Sequence, residues 1–189
     1  MEKSDLELIT EYQRGATDAF TDLVERYSKP VFLFAYRMSK DRDMATDIAQ
    51  ETFVKVWKKL PTFKPGAQFK TWIFTIARNT VIDYLRKKRS TPFSIFDTED
   101  GKNMIEETVQ DEAPLPPELI ERAEKNALLE KNLAKLDPID QEILELHYRE
   151  DLTFDEIGTI LRRPLDTVKS RHYRAIKKLQ TYFSEDPET

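Results

Sequence analysis

Apolar positions in this chain recur every third or fourth residue, with no sustained alternation of period two and only 4 glycines in 189 residues. That spacing predicts helices almost throughout. Phe20, Leu23, Val24, Tyr27, Val31, Phe34 and Met38 form one stripe, with Pro30 placed to kink or shorten the helix. A second helix is expected from about Asp41 to Leu60, ending before Pro61, and the run 61–68 reads as a loop. A third starts near Phe69 and separates into two faces at 100° per residue. Phe69, Trp72, Ile73, Ile76, Ala77, Thr80, Val81 and Tyr84 share one side; Thr71, Thr75, Arg78, Asn79, Ile82, Arg86 and Arg89 share the other.

The C-terminal third is more specific. Asp137 before Pro138 fits an N-cap with proline at the first helical position, opening a helix with Ile139, Ile143 and Leu146 on one side. Thr153 to Glu156 matches the capping-box pattern T-x-x-E, and Ile157, Ile160 and Leu161 continue as the buried face of a short helix. After a turn at 162–165, Asp166 is expected to cap a final helix with the apolar stripe Val168, His172, Ala175, Ile176, Leu179 and Phe183. Opposite lie Thr167, Ser170, Arg171, Arg174, Lys177 and Lys178. A short capped helix, a tight turn and a second helix with a basic outer face make a helix-turn-helix, whose second helix suits the DNA major groove.

Charge first argues against that reading and then supports it. The formal net charge is -5, from 30 Lys plus Arg against 35 Asp plus Glu, and an acidic total disfavours nucleic acid. Residues 61–90, however, hold seven basic side chains and one acid, and residues 162–178 repeat that ratio, so each is +6. Between them, residues 91–124 carry ten acids and two basic groups, -8, along with four prolines. Two helical domains, 1–90 and 118–184, each carrying one basic patch and joined by an acidic linker at 91–117, account for this pattern. The linker is expected to hold the two basic surfaces apart and to suppress DNA binding by the free chain.

Several chemistries are excluded. Zero cysteines remove disulfides, thiolate metal sites and thiol catalysis, and the two histidines, His147 and His172, are far apart in sequence, so neither a metal nor a cofactor is expected. The run Gly66 to Thr71 lacks the second glycine of a phosphate-binding loop, and Asp97 to Gly101 puts Phe96 at the first position of a calcium loop. No run of about 20 apolar residues would span a membrane, and the acidic N-terminus lacks signal-peptide order, so a cytoplasmic protein is expected. Open alternatives are a stand-alone helix-turn-helix regulator, a protein-binding adaptor and a carboxylate-based enzyme.

Three runs narrow the choice. Asp43-Met-Ala-Thr-Asp47-Ile-Ala-Gln50-Glu51-Thr-Phe53, with Trp57 downstream, resembles the region 2 signature of the extracytoplasmic-function group of sigma-70-type RNA polymerase sigma factors. Phe69 to Asn79 is similar to a further stretch of that region. Leu152 to Ile157, with Thr167 to Arg171, Arg174 and Ala175, is similar to region 4. The resemblance implies a non-catalytic, dissociable specificity subunit that is monomeric when free. Its partners would be core RNA polymerase, through the clamp coiled coil and flap, promoter DNA in double- and single-stranded form, and an anti-sigma factor.

The resemblance also distributes roles. Asp47, Gln50, Glu51, Phe53 and Trp57 would dock on polymerase. Phe63, Lys64, Lys70, Trp72, Arg78 and Asn79 would read the minus-ten element as single strands, with Arg86, Lys87, Lys88 and Arg89 on phosphates. Thr167, Lys169, Ser170, Arg171, Arg174, Lys177 and Lys178 would read the minus-thirty-five element in the major groove. Two residues depart from the family pattern, where glycine is common: Arg162, at a left-handed turn position, and Asp166.

Overall fold

A computed structural model describes residues 3–64, 66, 68–90 and 117–185, and every element among them is helical. Of the linker that the sequence assigns to 91–117, residues 91–116 lie outside the described residues and Pro117 is the first residue of a helix.

Helix α1, Asp5–Gln13, opens on a capping box in which Ser4 Oγ accepts from the Glu7 amide at 3.3 Å while Glu7 Oε2 accepts from the Ser4 amide at 2.7 Å. Helix α2, Asp18–Ser39, runs through Pro30, so the carbonyl of Arg26 loses one internal hydrogen bond without ending the helix. Its apolar stripe supplies the compensation: Leu23, Tyr27, Val31, Phe34 and Ala35 are all buried. Helix α3, Arg42–Lys59, is capped by Asp41, whose Oδ1 accepts from the Met44 amide at 3.0 Å. A single 3₁₀ turn over Leu60–Thr62 leads by a loop to α4, Phe69–Ser90.

The second block comprises α5, Pro117–Leu133; α6, Pro138–Tyr148; α7, Phe154–Leu161; and α8, Leu165–Glu185. Thr153 and Glu156 form the expected capping box. Two expected caps are otherwise. Asp137 occupies the N-cap position of α6 but makes no cap hydrogen bond, because its Oδ2 accepts from Lys178 Nζ at 3.3 Å instead. Asp166 lies inside the first turn of α8, since Leu165 is already helical and the Thr167 and Val168 amides bond back to the Pro164 carbonyl. Arg162 takes the left-handed conformation, φ 53° and ψ 48°, that glycine would adopt at lower cost.

The two blocks pack directly on one another instead of standing apart. One apolar core begins with Leu8, Leu23, Phe34, Ile48, Leu60 and Phe74 and continues without interruption into Ile143, Leu146, Leu152 and Ile157. Phe34 and Phe74 meet edge to face at 5.5 Å at its centre, and removing either ring would cost roughly 3 to 5 kcal/mol. A smaller cluster of Leu136, Leu144, Ala175 and Leu179 joins α6 to α8.

Candidate nucleic-acid interface

Helix α4 shows the two faces its sequence predicts. Phe69, Ile73, Ile76, Ala77, Thr80 and Val81 are buried, while Arg86, Lys87 and Lys88 are exposed at its C-terminal end. Arg86 pairs with Asp83 at 3.1 Å, Lys87 Nζ lies 5.7 Å from the Tyr84 ring centre, and Lys88 reaches Asp41 at 3.2 Å. Of the Arg89 side chain nothing is described. The loop before α4 presents Lys64 to solvent, but Phe63 is only 7% exposed. Its ring packs against Trp72 at 5.0 Å and Phe69 at 5.8 Å, so it shapes the loop from behind and offers no free face for stacking. Gln13 Nε2 donates to the carbonyls of Leu60 and Phe63, at 3.1 and 3.0 Å, and fixes the loop to α1.

The N-terminal half of the polar face is covered, which periodicity alone does not reveal. Arg78 Nε donates to Glu142 Oε1 at 2.6 Å, Thr71 Oγ1 to Glu156 Oε1 at 3.1 Å, and Lys70 Nζ lies 3.9 Å from Glu150 Oε2. Arg37 of α2 pairs with Glu145. Four acids of the second block thus meet cations or a hydroxyl of the first. Burial raises the carboxyls of Glu142 and Glu145 above the usual range, against the pull of Arg78, and of Arg37 and Arg149. Burial also pushes Glu150 up to about 7, because Lys70 is too distant to compensate. Glu156 differs: burial opposes its ionised form, but hydrogen bonds from Thr153 and Thr71 prevail and hold it low.

On α8 the outward strip runs Lys169 and Ser170, Tyr173 and Arg174, Lys177 and Lys178 in four-residue steps, with Thr167 half-buried at its start. Among the described residues Arg174 reaches only the Ser170 carbonyl, through Nε at 3.2 Å, which leaves its two terminal nitrogens available there. Tyr173 is 71% exposed in the middle of this strip and was missed in sequence. It lies beside the apolar stripe, where an aromatic reads as core; only its i±4 relation to Lys169 and Lys177 marks the other face. Arg171 is turned away, donating to Asp140 Oδ1 at 2.7 Å. His172 packs against Phe154, His147 and Tyr148, with the Tyr148 hydroxyl 3.0 Å from Nε2, and burial followed by the His147 charge lowers its pKa.

The outer face of α3 combines Asp47, Gln50, Val54 and Trp57, all exposed, with Trp57 at 52%. Phe53 instead packs on the core. Glu51 is held low by Lys55 at 2.8 Å, despite partial burial, with help from Tyr84. Lys55 also donates to Thr80 at 3.0 Å, which fixes α3 against α4. Among the described residues no group of three or more His, Asp or Glu side chains converges as a metal site, and no helix is long and apolar enough to cross a membrane.

This two-part helical arrangement has close counterparts. A sigma-70 region 2 family model matches residues 23–91, and a sigma-70 region 4 model matches residues 132–181. The ECF RNA polymerase sigma factor SigW of Bacillus subtilis is 32% identical over 176 residues, covering 91% of this chain and 92% of that protein. The chain belongs to the ECF RNA polymerase sigma factor family. ECF sigma factor RpoE of Cereibacter sphaeroides is likewise 32% identical, over 88% of this chain and 87% of its own length. The solved structure of CnrH in complex with the cytosolic domain of CnrY shares the fold, with a TM-score of 0.69 at 23% identity over 97% of this chain and 99% of that one. The matched region 2 segment of this sigma factor contains α3 and α4, and the region 4 segment contains α6, α7 and most of α8. Every candidate interface residue therefore lies within one of the two matched segments.

Proposed function

We propose that this sigma factor selects promoters for core RNA polymerase in three separable contacts, with residues 1–90 and 118–184 as its working domains and 91–117 as the connector. The outer face of α3, Asp47, Gln50, Glu51 and Trp57 with Phe53 behind it, docks on the polymerase clamp. The loop before α4 and the polar face of that helix, Lys64, Lys70, Arg78 and Asn79 with Phe63 and Trp72 in support, read the minus-ten element as a single strand. Arg86, Lys87 and Arg89 hold its phosphates. The strip on α8, Thr167, Lys169, Ser170, Arg171, Arg174, Lys177 and Lys178, reads the minus-thirty-five element as duplex and leaves a second surface for the polymerase flap. Bond chemistry stays with polymerase, the free chain is a cytoplasmic monomer, and an anti-sigma factor is its negative partner. Solved relatives support that last element: CnrH is in complex with the cytosolic domain of CnrY, and RpoE of Bartonella quintana with the anti-sigma factor NepR.

The observation that carries this reading is the α8 strip, a row of exposed cations and polar side chains on the second helix of a helix-turn-helix whose first helix is buried on its other side. A phosphate-facing row supplies affinity, and a free guanidinium with two terminal nitrogens suits guanine, at roughly 1 to 3 kcal/mol per good bidentate contact. The test is run-off transcription and promoter gel shift with and without core polymerase. Specific initiation that requires both proteins is expected; tight, sequence-specific binding without polymerase would overturn it.

A further inference from the structure

The candidate docking face of α3 is tied to α4 through one side chain. Lys55 Nζ lies 2.8 Å from Glu51 Oε1 on its own helix and donates to Thr80 Oγ1 on α4 at 3.0 Å. Thr80 is buried, and its hydroxyl proton is already given to the Ile76 carbonyl at 2.9 Å, so its oxygen is left as an acceptor for Lys55. A second residue of α4 reaches the same carboxylate. The Tyr84 hydroxyl bonds to Glu51 and helps Lys55 keep this acid ionised against its partial burial.

We propose that Lys55 is a positioning residue for polymerase docking: anchored on Thr80 of α4, it holds the Glu51 carboxylate in place on the outer face of α3. The inference rests on the reading of that face as the polymerase contact. It goes beyond that reading by making α4, assigned above only to DNA, the frame on which the contact is set.

Two physical arguments carry it. Asp47 and Glu51 stand one helical turn apart, and like charges at that spacing repel, so an unsupported Glu51 would swing away from its neighbour. Lys55, one turn further on, fixes the carboxylate instead. The second argument concerns the lysine itself. A long side chain tethered only to a partly exposed glutamate gains little, because ordering its stem offsets a solvent-screened attraction. The bond to a buried hydroxyl supplies a fixed end. Folding therefore orders Lys55, and through it Glu51, before any partner arrives, and association is spared the entropy of immobilising that side chain. Nothing in the spacing of α3 marks this role, since Glu51 and Lys55 alone read as an ordinary surface pair at i,i+4; the distinguishing partner, Thr80, is 25 residues away.

The test is the affinity of the full chain for core RNA polymerase, with thermal unfolding followed by circular dichroism on the same proteins. Lys55→Met keeps the stem and removes the ammonium, Lys55→Arg keeps a cation, Thr80→Val removes the anchor, and Lys29→Met removes an equal charge from an exposed position on α2. Lys55→Met is expected to weaken polymerase binding about fivefold and Thr80→Val about threefold, with Lys55→Arg within about twofold of the parent and Lys29→Met unchanged. The same substitution is then made in a Glu51→Ala background. A residue that acts through Glu51 has nothing left to position there, so Lys55→Met is expected to add no further loss to that of Glu51→Ala. A merely structural role would lower Tm and add its loss in either background, and that result would overturn the proposal. Unchanged affinity of Lys55→Met, while Glu51→Ala and Trp57→Ala weaken binding, would overturn it and leave α3 as the docking face. Full affinity in all three would overturn the docking reading itself. If Lys55→Met loses helicity, Thr80→Val decides the matter: unchanged polymerase affinity in that folded variant would overturn the anchor.

Discussion

The guanidinium of Arg78 and the carboxylate of Glu142, 64 residues apart in sequence, form a 2.6 Å hydrogen-bonded ion pair at the seam between the two helical blocks. Glu142 is only 4% exposed there and depends on this partner for compensation of its lost hydration. Truncating one member therefore leaves a buried charge, whereas replacing both by apolar groups does not. Arg78→Ala is expected to destabilise the folded chain by about 3 kcal/mol, and adding Glu142→Leu to recover most of that loss. Thermal unfolding of the two single variants and the double variant measures the coupling; additive losses would show that the pair is not coupled.

Glu150 predicts a pH dependence with a definite sign. Burial raises its carboxyl to about 7, and Lys70, Glu145, Arg37 and Asp151 are the charges that face it. The folded chain therefore binds this proton more tightly than the unfolded chain. Its contribution is complete below the ordinary glutamate range and is lost as pH rises through 7, on the order of 3 kcal/mol at most. Relative to Glu150→Gln, the parent should lose several degrees of Tm between pH 5 and pH 8. Parallel Tm profiles for the two proteins would refute the assignment.

Gly158 of α7 has no room for a side chain. A Cβ built there would lie 2.9 Å from the backbone carbonyl oxygen of Arg163, which belongs to the turn and cannot rotate away. Gly158→Ala should cost about 1 to 3 kcal/mol by forcing α7 and α8 apart, and should weaken minus-thirty-five-dependent transcription along with Tm. A Tm within a degree of the parent would mean that the turn yields freely.

Arg162 points the other way. It holds the left-handed position that ends α7, and its side chain is exposed. Arg162→Gly removes the Cβ conflict and should stabilise by about 0.5 to 1 kcal/mol, visible as a rise of a few degrees in Tm. A fall in Tm would indicate that loss of chain entropy on folding outweighs the relief.

Trp57 and Phe53 are expected to separate docking from folding. Trp57 stands half-exposed on the outer face of α3 with Val54, while Phe53 packs on the core. Trp57→Ala should reduce pull-down of core polymerase at least tenfold with Tm unchanged, and Phe53→Ala should lower Tm first. Full retention of polymerase binding by Trp57→Ala would remove α3 from the docking surface.

Helix class, the helix-turn-helix and the family were all legible in the order of residues, because each depends on local rules. The 3.6-residue period that buries Val31, Phe34 and Ile73 is written in neighbouring positions, as are the T-x-x-E box at Thr153 and the basic strip from Lys169 to Lys178. The capping box at Ser4 and Glu7 is equally local. Other features were decided only by the fold. Whether Asp137 caps its helix depends on Lys178, 41 residues away, and whether Phe63 faces solvent depends on where Trp72 places its ring. The polar face of α4 reads as open because the charges that cover it, Glu142, Glu150 and Glu156, belong to the other block. Periodicity states which side of a helix is polar; only tertiary packing decides whether water, DNA or a distant carboxylate of the same chain meets it, because that partner is set by long-range burial and charge pairing.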